Sequence, residues 1–155
     1  MITLEKVCFA YEHEIALRYV DLQIEKGDSV VIQGPNGCGK STLIKLLNGI
    51  IYPSEGHYFY KDHEITEKTL KDRQFAKWFH QQMGYVFQNA DTQLFCGSVE
   101  EEIAFGPVQM GLSETEIRQR TEDCLQLFGI EKLRERPPYH LSGGEKRKVS
   151  LACIL

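Results

Sequence analysis

Nine consecutive residues in the first third of the chain have the types and the spacing needed to hold a polyphosphate. They match the pattern G-x-x-x-x-G-K-[ST] and are Gly34, Pro35, Asn36, Gly37, Cys38, Gly39, Lys40, Ser41 and Thr42. The glycines let the backbone curl so that successive N–H groups point at phosphate oxygens. The Lys40 ammonium can reach the terminal phosphates, and the Ser41 hydroxyl is a hard oxygen ligand of the kind that Mg²⁺ takes. We therefore predict a phosphate-binding loop, and the alternative is a glycine-rich turn that binds nothing.

The residues on either side of this loop predict the elements that would hold it. The apolar run 30–32 predicts a buried strand over 29–33. Apolar residues from Leu43 to Ile50 recur at helical spacing, so we expect a helix that starts near Lys40 and ends at Asn48-Gly49. The positive end of that helix would face the same anion.

Two other side chains could contact the same ligand, although each has a plainer interpretation. Tyr11 lies between two strand-like stretches, where its ring could stack on a purine or only pack against its neighbours. Gln88 follows the apolar run 84–87, which predicts a short buried strand, and ligands bind at the carboxyl ends of strands in open α/β sheets. The Gln88 carbonyl oxygen could ligate Mg²⁺ or orient a water, but a glutamine is also common in ordinary loops.

Near the end of the sequence, a second helix is predicted to begin beside glycine residues. The residues at this helix start are Leu141, Ser142, Gly143, Gly144 and Glu145. Ser142 and Glu145 have the spacing of a capping box, and the apolar residues that follow predict a helix. Because the start of a helix can accept an anion, this segment predicts either a second phosphate contact or simply a capped helix.

The rest of the sequence predicts an α/β protein whose strands come mostly first and whose helices come mostly last. Strands are predicted over 2–9, 20–24 and 57–61, and helices over 66–82, from Ser98 and from Ser113 to Gly129. Ser98 with Glu101 and Ser113 with Glu116 have the spacing of capping boxes at the starts of the last two helices. We expect a single domain over 1–155. Within it, the β-rich part with the phosphate loop covers 1–88, and a mainly helical part covers 89–155.

The composition argues against several classes of protein. With 18 basic and 22 acidic residues the net charge is −4, which does not suggest nucleic acid or an anionic membrane surface as the main partner. No apolar run reaches the ~20 residues that span a bilayer. Five cysteines without a C-x-x-C pair indicate reduced cytosolic thiols, and five scattered histidines show no metal-ligand spacing.

Taken in order, these motifs resemble the nucleotide-binding domain of ABC transporters. The sequence LSGGE beside a phosphate loop is highly specific for that family. The stretch 87–112 is similar to the ATPases of energy-coupling-factor and cobalt-type importers. The resemblance implies an ABC ATPase-like P-loop NTPase fold, with an N-terminal antiparallel β part and a helical signature subdomain.

The resemblance also implies roles for the residues named above. Tyr11 would stack on adenine, residues 34–42 would bind the phosphates of ATP, and residues 141–145 would contact the ATP that is bound to another subunit. Lys40 and Gln88 would be catalytic. Mg²⁺ would be held by Ser41 and Gln88.

Partners and a location follow from the same resemblance. The protein would form a homo- or hetero-dimer with a second ABC ATPase subunit and would bind an integral membrane transporter subunit. It would lie in the cytoplasm, peripherally on the inner face of the cell membrane. Its reaction would be ATP hydrolysis that is coupled to solute uptake.

The sequence departs from the family pattern at its C-terminal end. The strand that ends in the Walker B Asp-Glu pair, the aspartate loop and the switch histidine have no counterpart up to Leu155. We therefore expect the N-terminal part of a longer protein, or a truncated product, that does not hydrolyse ATP by itself. The alternatives are a hydrolytically inactive nucleotide-binding fragment and a soluble ABC ATPase with no transport role.

Overall fold

The alternating apolar residues at the N-terminus form a long antiparallel hairpin. In the computed structural model, which describes residues 1–155, β1 (Ile2–Tyr11) pairs with β2 (Glu14–Ile24). β3 (Glu55–Tyr60) pairs with the other edge of β1 and then with the two-residue β4 (His63–Glu64). The order across the sheet is therefore β2-β1-β3-β4, and every pair is antiparallel.

Two helices complete the first compact unit, which comprises Met1–Met83. They are α1 (Lys40–Leu47) and α2 (Arg73–Gln82). The predicted helix over 66–82 becomes a regular α-helix only at Arg73, where the Asp72 side chain caps it by accepting hydrogen bonds from the N–H groups of Gln74 and Phe75. The buried core of this unit contains Leu4, Val7, Leu17, Leu46, Leu47, Tyr58, Tyr60, Ile65 and Phe79.

The second compact unit, Gly84–Leu155, is helical. Its α-helices are α3 (Val99–Met110), α4 (Glu114–Phe128) and α5 (Gly143–Ala152). Short 3-10 turns lie at Ala90–Thr92, Glu131–Leu133 and Pro138–His140. The buried core of this unit contains Val99, Ile103, Cys124, Leu125, Ile130, Leu133, Leu141, Val149 and Ala152. None of the helices in the chain combines the length and the apolar character that crossing a bilayer requires.

The helix starts follow the local signals closely. The capping box of Ser113 and Glu116 is confirmed, because each accepts a hydrogen bond from the backbone of the other. Ser98 caps α3 by accepting from the N–H of Glu101, as predicted. The Glu101 carboxylate, however, accepts from the N–H of Gly97 instead of Ser98, so only half of that box forms.

Two predicted strands are not strands in the structure. Residues 29–33 and 84–87 are irregular and join no sheet. Val30 and Val31 are 47% and 75% exposed, although the apolar run predicted that they are buried. A buried strand of an α/β sheet needs hydrogen-bonded neighbours and helices on both faces. These segments pair with no strand of this chain, and an apolar run alone does not supply that pairing.

Candidate nucleotide-binding site

The phosphate loop ends at a glycine that the fold requires. Gly39 has a φ of 91°, in the left-handed region. A Cβ atom at Gly39 would lie 2.3 Å from the carbonyl oxygen of Ala16 and 3.2 Å from the Leu17 side chain. This close approach holds the start of α1 directly against β2. Gly37 also has a positive φ, 84°, but a Cβ there would meet no heavy atom within 4 Å, so it serves only the curvature of the loop.

Helix α1 begins without a side-chain cap. Its N-cap residue is Gly39, so the N–H groups from Lys40 to Thr42 have neither a partner one turn earlier nor a capping oxygen. The first turn also lacks an acidic residue. The other four α-helices are capped by side chains, those of Asp72, Ser98, Ser113 and Ser142. The start of α1 is therefore a positive end that can accept an anion.

The Lys40 ammonium lies across the phosphate loop. Its Nζ donates to the carbonyl oxygens of Gly34 at 2.9 Å and Pro35 at 2.7 Å, and it lies 3.8 Å from the Cys38 Sγ. The two carbonyl partners are neutral, and a hydrogen bond between an ammonium and an anionic oxygen is roughly twice as strong as one between neutral groups. A phosphate at the start of α1 would therefore draw the ammonium away from the two carbonyls.

The oxygen atoms near this helix start suit a hard cation. Ser41 is exposed on the first turn of α1, whereas Thr42 is buried. Mg²⁺ prefers oxygen ligands and keeps several waters, which fits a single exposed hydroxyl beside a phosphate site. Gln88, the other predicted Mg²⁺ ligand, is also exposed and belongs to the second compact unit.

Tyr11 lies at the same end of the sheet as the phosphate loop. It is the last residue of β1, it is 44% exposed, and its ring meets Phe9 edge-to-face at 4.8 Å between centroids. Phe9 is paired with Leu17, which lies beside Gly39. The strand register therefore brings an exposed aromatic face and the phosphate loop together within one unit.

Gln88 and the glycine-containing start of α5 lie in the second unit. The backbone N–H of Phe87 donates to Oε1 of Gln93 at 3.2 Å, and Nε2 of Gln93 donates to the Ser150 carbonyl of α5 at 2.9 Å. The residue before Gln88 is thus connected to α5 through one side chain. The role of Gln93 could not be predicted from the sequence, because its partner in α5 is 57 residues away and no local pattern reveals such a pair.

The predicted capping box at the start of α5 is confirmed. The N–H and the hydroxyl of Ser142 both donate to the Glu145 carboxylate at 2.7 Å, and the Glu145 N–H donates back to Ser142 Oγ at 3.4 Å. The hydrogen bonds from the hydroxyl and then the N–H of Ser142 lower the pKa of Glu145 below its ordinary value of 4.5. Leu141 is buried and anchors the segment, whereas Gly143 and Gly144 face open space, since a Cβ at either would meet nothing within 4 Å.

Comparison with known proteins agrees with this arrangement. A putative ABC transporter ATP-binding protein of Clostridium acetobutylicum is 54% identical over 155 residues, and the nickel import ATP-binding protein LarO of Lactiplantibacillus plantarum is 48% identical over 155 residues. Both alignments cover 100% of this chain and 64% of the relative. The chain thus spans just under two thirds of the length of these curated relatives.

Solved structures show the same fold. CbiO1 from Clostridium perfringens, part of the ABC transporter complex CbiONQ, is 36% identical with a TM-score of 0.85, over 99% of this chain and 60% of that one. A dimeric ATP-binding cassette bound to ADP and Pi is 28% identical with a TM-score of 0.84, over 100% of this chain and 69% of that one. The fold is that of a P-loop ABC ATPase. The family described as ABC transporter matches residues 17–155, and this chain belongs to it.

Proposed function

We propose that this chain is the ATP-binding part of an importer ATPase of the energy-coupling-factor or cobalt-like kind, which couples ATP binding and hydrolysis to solute uptake. The observation that carries the proposal is the start of α1, where uncapped N–H groups and the Lys40 ammonium converge on one exposed loop. The names of the relatives support the transport role. LarO is a nickel import protein, another relative is an energy-coupling factor transporter protein, EcfA, of Methanoculleus marisnigri, and CbiO1 is part of CbiONQ.

The residues of this chain would bind and orient the nucleotide. The amides of residues 34–42 would hold the phosphates, Lys40 would hold a terminal phosphate oxygen, and Tyr11 would stack on the adenine. Mg²⁺, when bound by Ser41 and Gln88, supplies neutralising charge to the phosphate oxygens. Phosphoryl transfer of this kind depends mostly on positioning and on charge stabilisation.

A second ATPase subunit and a membrane subunit complete the proposal. In a head-to-tail dimer, identical or mixed, residues 141–145 would contact the ATP that is held by the partner. The membrane subunit would sense the state of the site through Gln88. The assembly would lie on the cytoplasmic face of the cell membrane, with no nucleic acid involved.

The test is Lys40→Ala, measured by isothermal titration with Mg-ATP. We expect the dissociation constant to rise at least ~100-fold, since a charged hydrogen bond and the compensation of phosphate charge are both lost. Lys45→Ala is the matched control, because Lys45 is a second lysine in α1, in its last turn instead of its first. An unchanged affinity in Lys40→Ala would refute the proposal.

A second candidate is a nucleotide-binding module that does not hydrolyse ATP. It is favoured by one observation: nowhere in the 155 residues does an Asp-Glu pair follow an apolar run, so the usual carboxylate partner of the attacking water has no counterpart. We expect no release of phosphate above background from this chain alone. Steady phosphate release that disappears in Lys40→Ala would rule this candidate out.

A further inference from the structure

Two of the three asparagines in this chain are followed directly by glycine. They are Asn36, in the phosphate loop, and Asn48, at the end of α1. In an Asn-Gly pair the backbone nitrogen of the glycine can attack the side-chain amide of the asparagine, because glycine has no side chain to hinder the approach and its backbone is the least restricted. The surroundings of each pair therefore decide whether it reacts.

Asn36 and Gly37 lie at the tip of an exposed turn. The N–H of Cys38 donates to the carbonyl of Pro35 at 3.4 Å, so Asn36 and Gly37 are the two central residues of a β-turn. Both are exposed, and a Cβ at Gly37 would meet no heavy atom within 4 Å. Neither the Gly37 N–H nor the Asn36 carboxamide forms a hydrogen bond within the chain; the side-chain hydrogen bonds of this loop are those of Lys40. The two groups that would react are therefore accessible to water and unrestrained by other parts of the chain.

Asn48 and Gly49, in contrast, are held in place at the end of α1. Nδ2 of Asn48 donates to the carbonyl of Ile44 at 2.9 Å, and the Gly49 N–H donates to the carbonyl of Leu46 at 2.9 Å. Gly49 is buried, and a Cβ there would lie 3.0 Å from Cε1 of Phe79. Asn48 can react only after these hydrogen bonds break in a local opening of the helix end, which keeps the reactive conformation rare.

We propose that Asn36 is a site of spontaneous deamidation, at which the phosphate loop changes its charge irreversibly. The Gly37 nitrogen loses its proton to the solvent and forms a bond to Cγ of Asn36. The bond from Cγ to Nδ2 breaks, and the amide nitrogen takes up a proton and leaves as ammonia. Water then opens the cyclic imide. Opening at one carbonyl gives an aspartate at position 36, and opening at the other gives an isoaspartate, in which the main chain runs through the side-chain carbons.

Either product would weaken the binding of a polyphosphate. Lys40 is the only charged residue in 34–42, and the new carboxylate adds a negative charge to the same loop. An isoaspartate also lengthens the main chain by one carbon and so displaces the neighbouring N–H groups. This consequence rests on the proposed function, in which the amides of 34–42 hold the phosphates of ATP. Bound nucleotide would slow the reaction, because a phosphate oxygen that accepts from the Gly37 N–H disfavours the loss of its proton.

Peptide mapping of the 155-residue chain after incubation at mildly alkaline pH tests the site. Trypsin separates the two Asn-Gly pairs into the peptides 27–40 and 46–61, and a sample digested before incubation gives the baseline. We expect deamidation at Asn36 to be at least ~10-fold faster than at Asn48, with isoaspartate detected by an isoaspartyl methyltransferase. In guanidinium, where neither pair is held by the fold, the two rates should become similar.

Isothermal titration with the non-hydrolysable probe Mg-AMP-PNP measures the consequence for binding. The deamidated chain should bind the probe with a dissociation constant at least ~10-fold higher than the fresh chain. Asn36→Gln, whose longer side chain cyclises slowly, should keep through incubation the affinity that it had at the start. Asn48→Gln is the matched control and should lose affinity as the unmodified chain does. Probe present during incubation should slow deamidation at Asn36 in proportion to the occupied fraction of the chain.

The outcomes distinguish the modification site from the proposed function. Deamidation at Asn36 that is no faster than at Asn48 in the folded chain overturns the proposal, and so does a difference that persists unchanged in guanidinium. Unchanged affinity after Asn36 has reacted, or an unchanged rate with the probe bound, overturns the consequence for nucleotide binding. If the fresh chain does not bind Mg-AMP-PNP, the proposed function is refuted instead, and the comparison of the two asparagines still decides the modification site.

Discussion

Two helices of this chain begin beside glycine, and they begin in opposite ways. At α1 the glycine is the N-cap residue, Gly39, in a left-handed conformation against β2, and no side chain caps the helix. At α5 the N-cap residue is Ser142, its capping box with Glu145 is complete, and the glycines that follow face open space. The conformation at the start of α1 depends on packing against β2, whereas the start of α5 is held by hydrogen bonds between residues of its own first turn.

Glycine serves a different purpose at each of these two helix starts. Gly39 is needed by the chain itself, because no side chain fits between α1 and β2. Gly143 and Gly144 are needed by nothing in the chain, although glycine is among the poorest residues in a helix. The absence of a side chain at these positions leaves room for a group outside the chain to approach the backbone closely. This agrees with the proposal that a partner's ATP binds there.

The largest expected effect is that of Gly39→Ala. The positive φ costs about 1–2 kcal/mol for an L-residue, and displacement of the Ala16 carbonyl adds to it, so we expect at least ~2 kcal/mol of destabilisation in urea unfolding. Mg-ATP binding should be lost together with stability. Gly37→Ala is the matched control, since its φ is also positive but its surroundings are open, and it should cost only about 1 kcal/mol. Equal costs for the two variants would contradict the steric reason given for Gly39.

Gly144→Ala should change the free energy of unfolding in the opposite direction. Alanine is the better helix former, so the free energy of unfolding should rise by up to about 1 kcal/mol. If a partner's ATP approaches this backbone, the added methyl should nevertheless weaken dimer formation in the presence of Mg-ATP at least ~10-fold. The measurement is urea unfolding of the chain together with its Mg-ATP-dependent dimerisation in analytical ultracentrifugation. A variant that is more stable and dimerises equally well would show that this glycine has no contact outside the chain.

Local chemistry explains which parts of the fold could be predicted from sequence. The end of α1 before Asn48 and the capping boxes at Ser113 and Ser142 are set by residues within one helical turn, and these predictions are confirmed. The strands over 29–33 and 84–87 were wrong, because a strand exists only where another strand pairs with it. The apolar pattern carries no information about that pairing.

The same distinction applies to the candidate site. The phosphate loop is recognisable because all its donors lie in nine consecutive residues. Gln93 could not be found in this way, since its meaning depends on Ser150, which is distant in sequence. The close approach of Gly39 to Ala16 is likewise a property of the packed unit. Such contacts between elements are invisible to a motif, even where the motif itself is correct.

The smallest expected effect is electrostatic. The Ser142 hydroxyl and N–H lower the pKa of Glu145 in the folded chain, so the cap stabilises the fold above the ordinary value of 4.5 and is lost as pH falls through the lower, folded value. We expect carboxyl ¹³C NMR titration to give Glu145 a pKa below 4.5, and Ser142→Ala to return it towards that value.

Ser113→Ala is the control for this titration, because it removes the corresponding bond to Glu116 and should leave Glu145 unchanged. The start of α1 has no acidic residue in its first turn and should show no such acid transition. If Glu145 titrates at its ordinary value in the unmodified chain, the capping box is not formed in solution. The start of α5 would then lack a side-chain cap, as the start of α1 does. The two helix starts would no longer differ in the way described above.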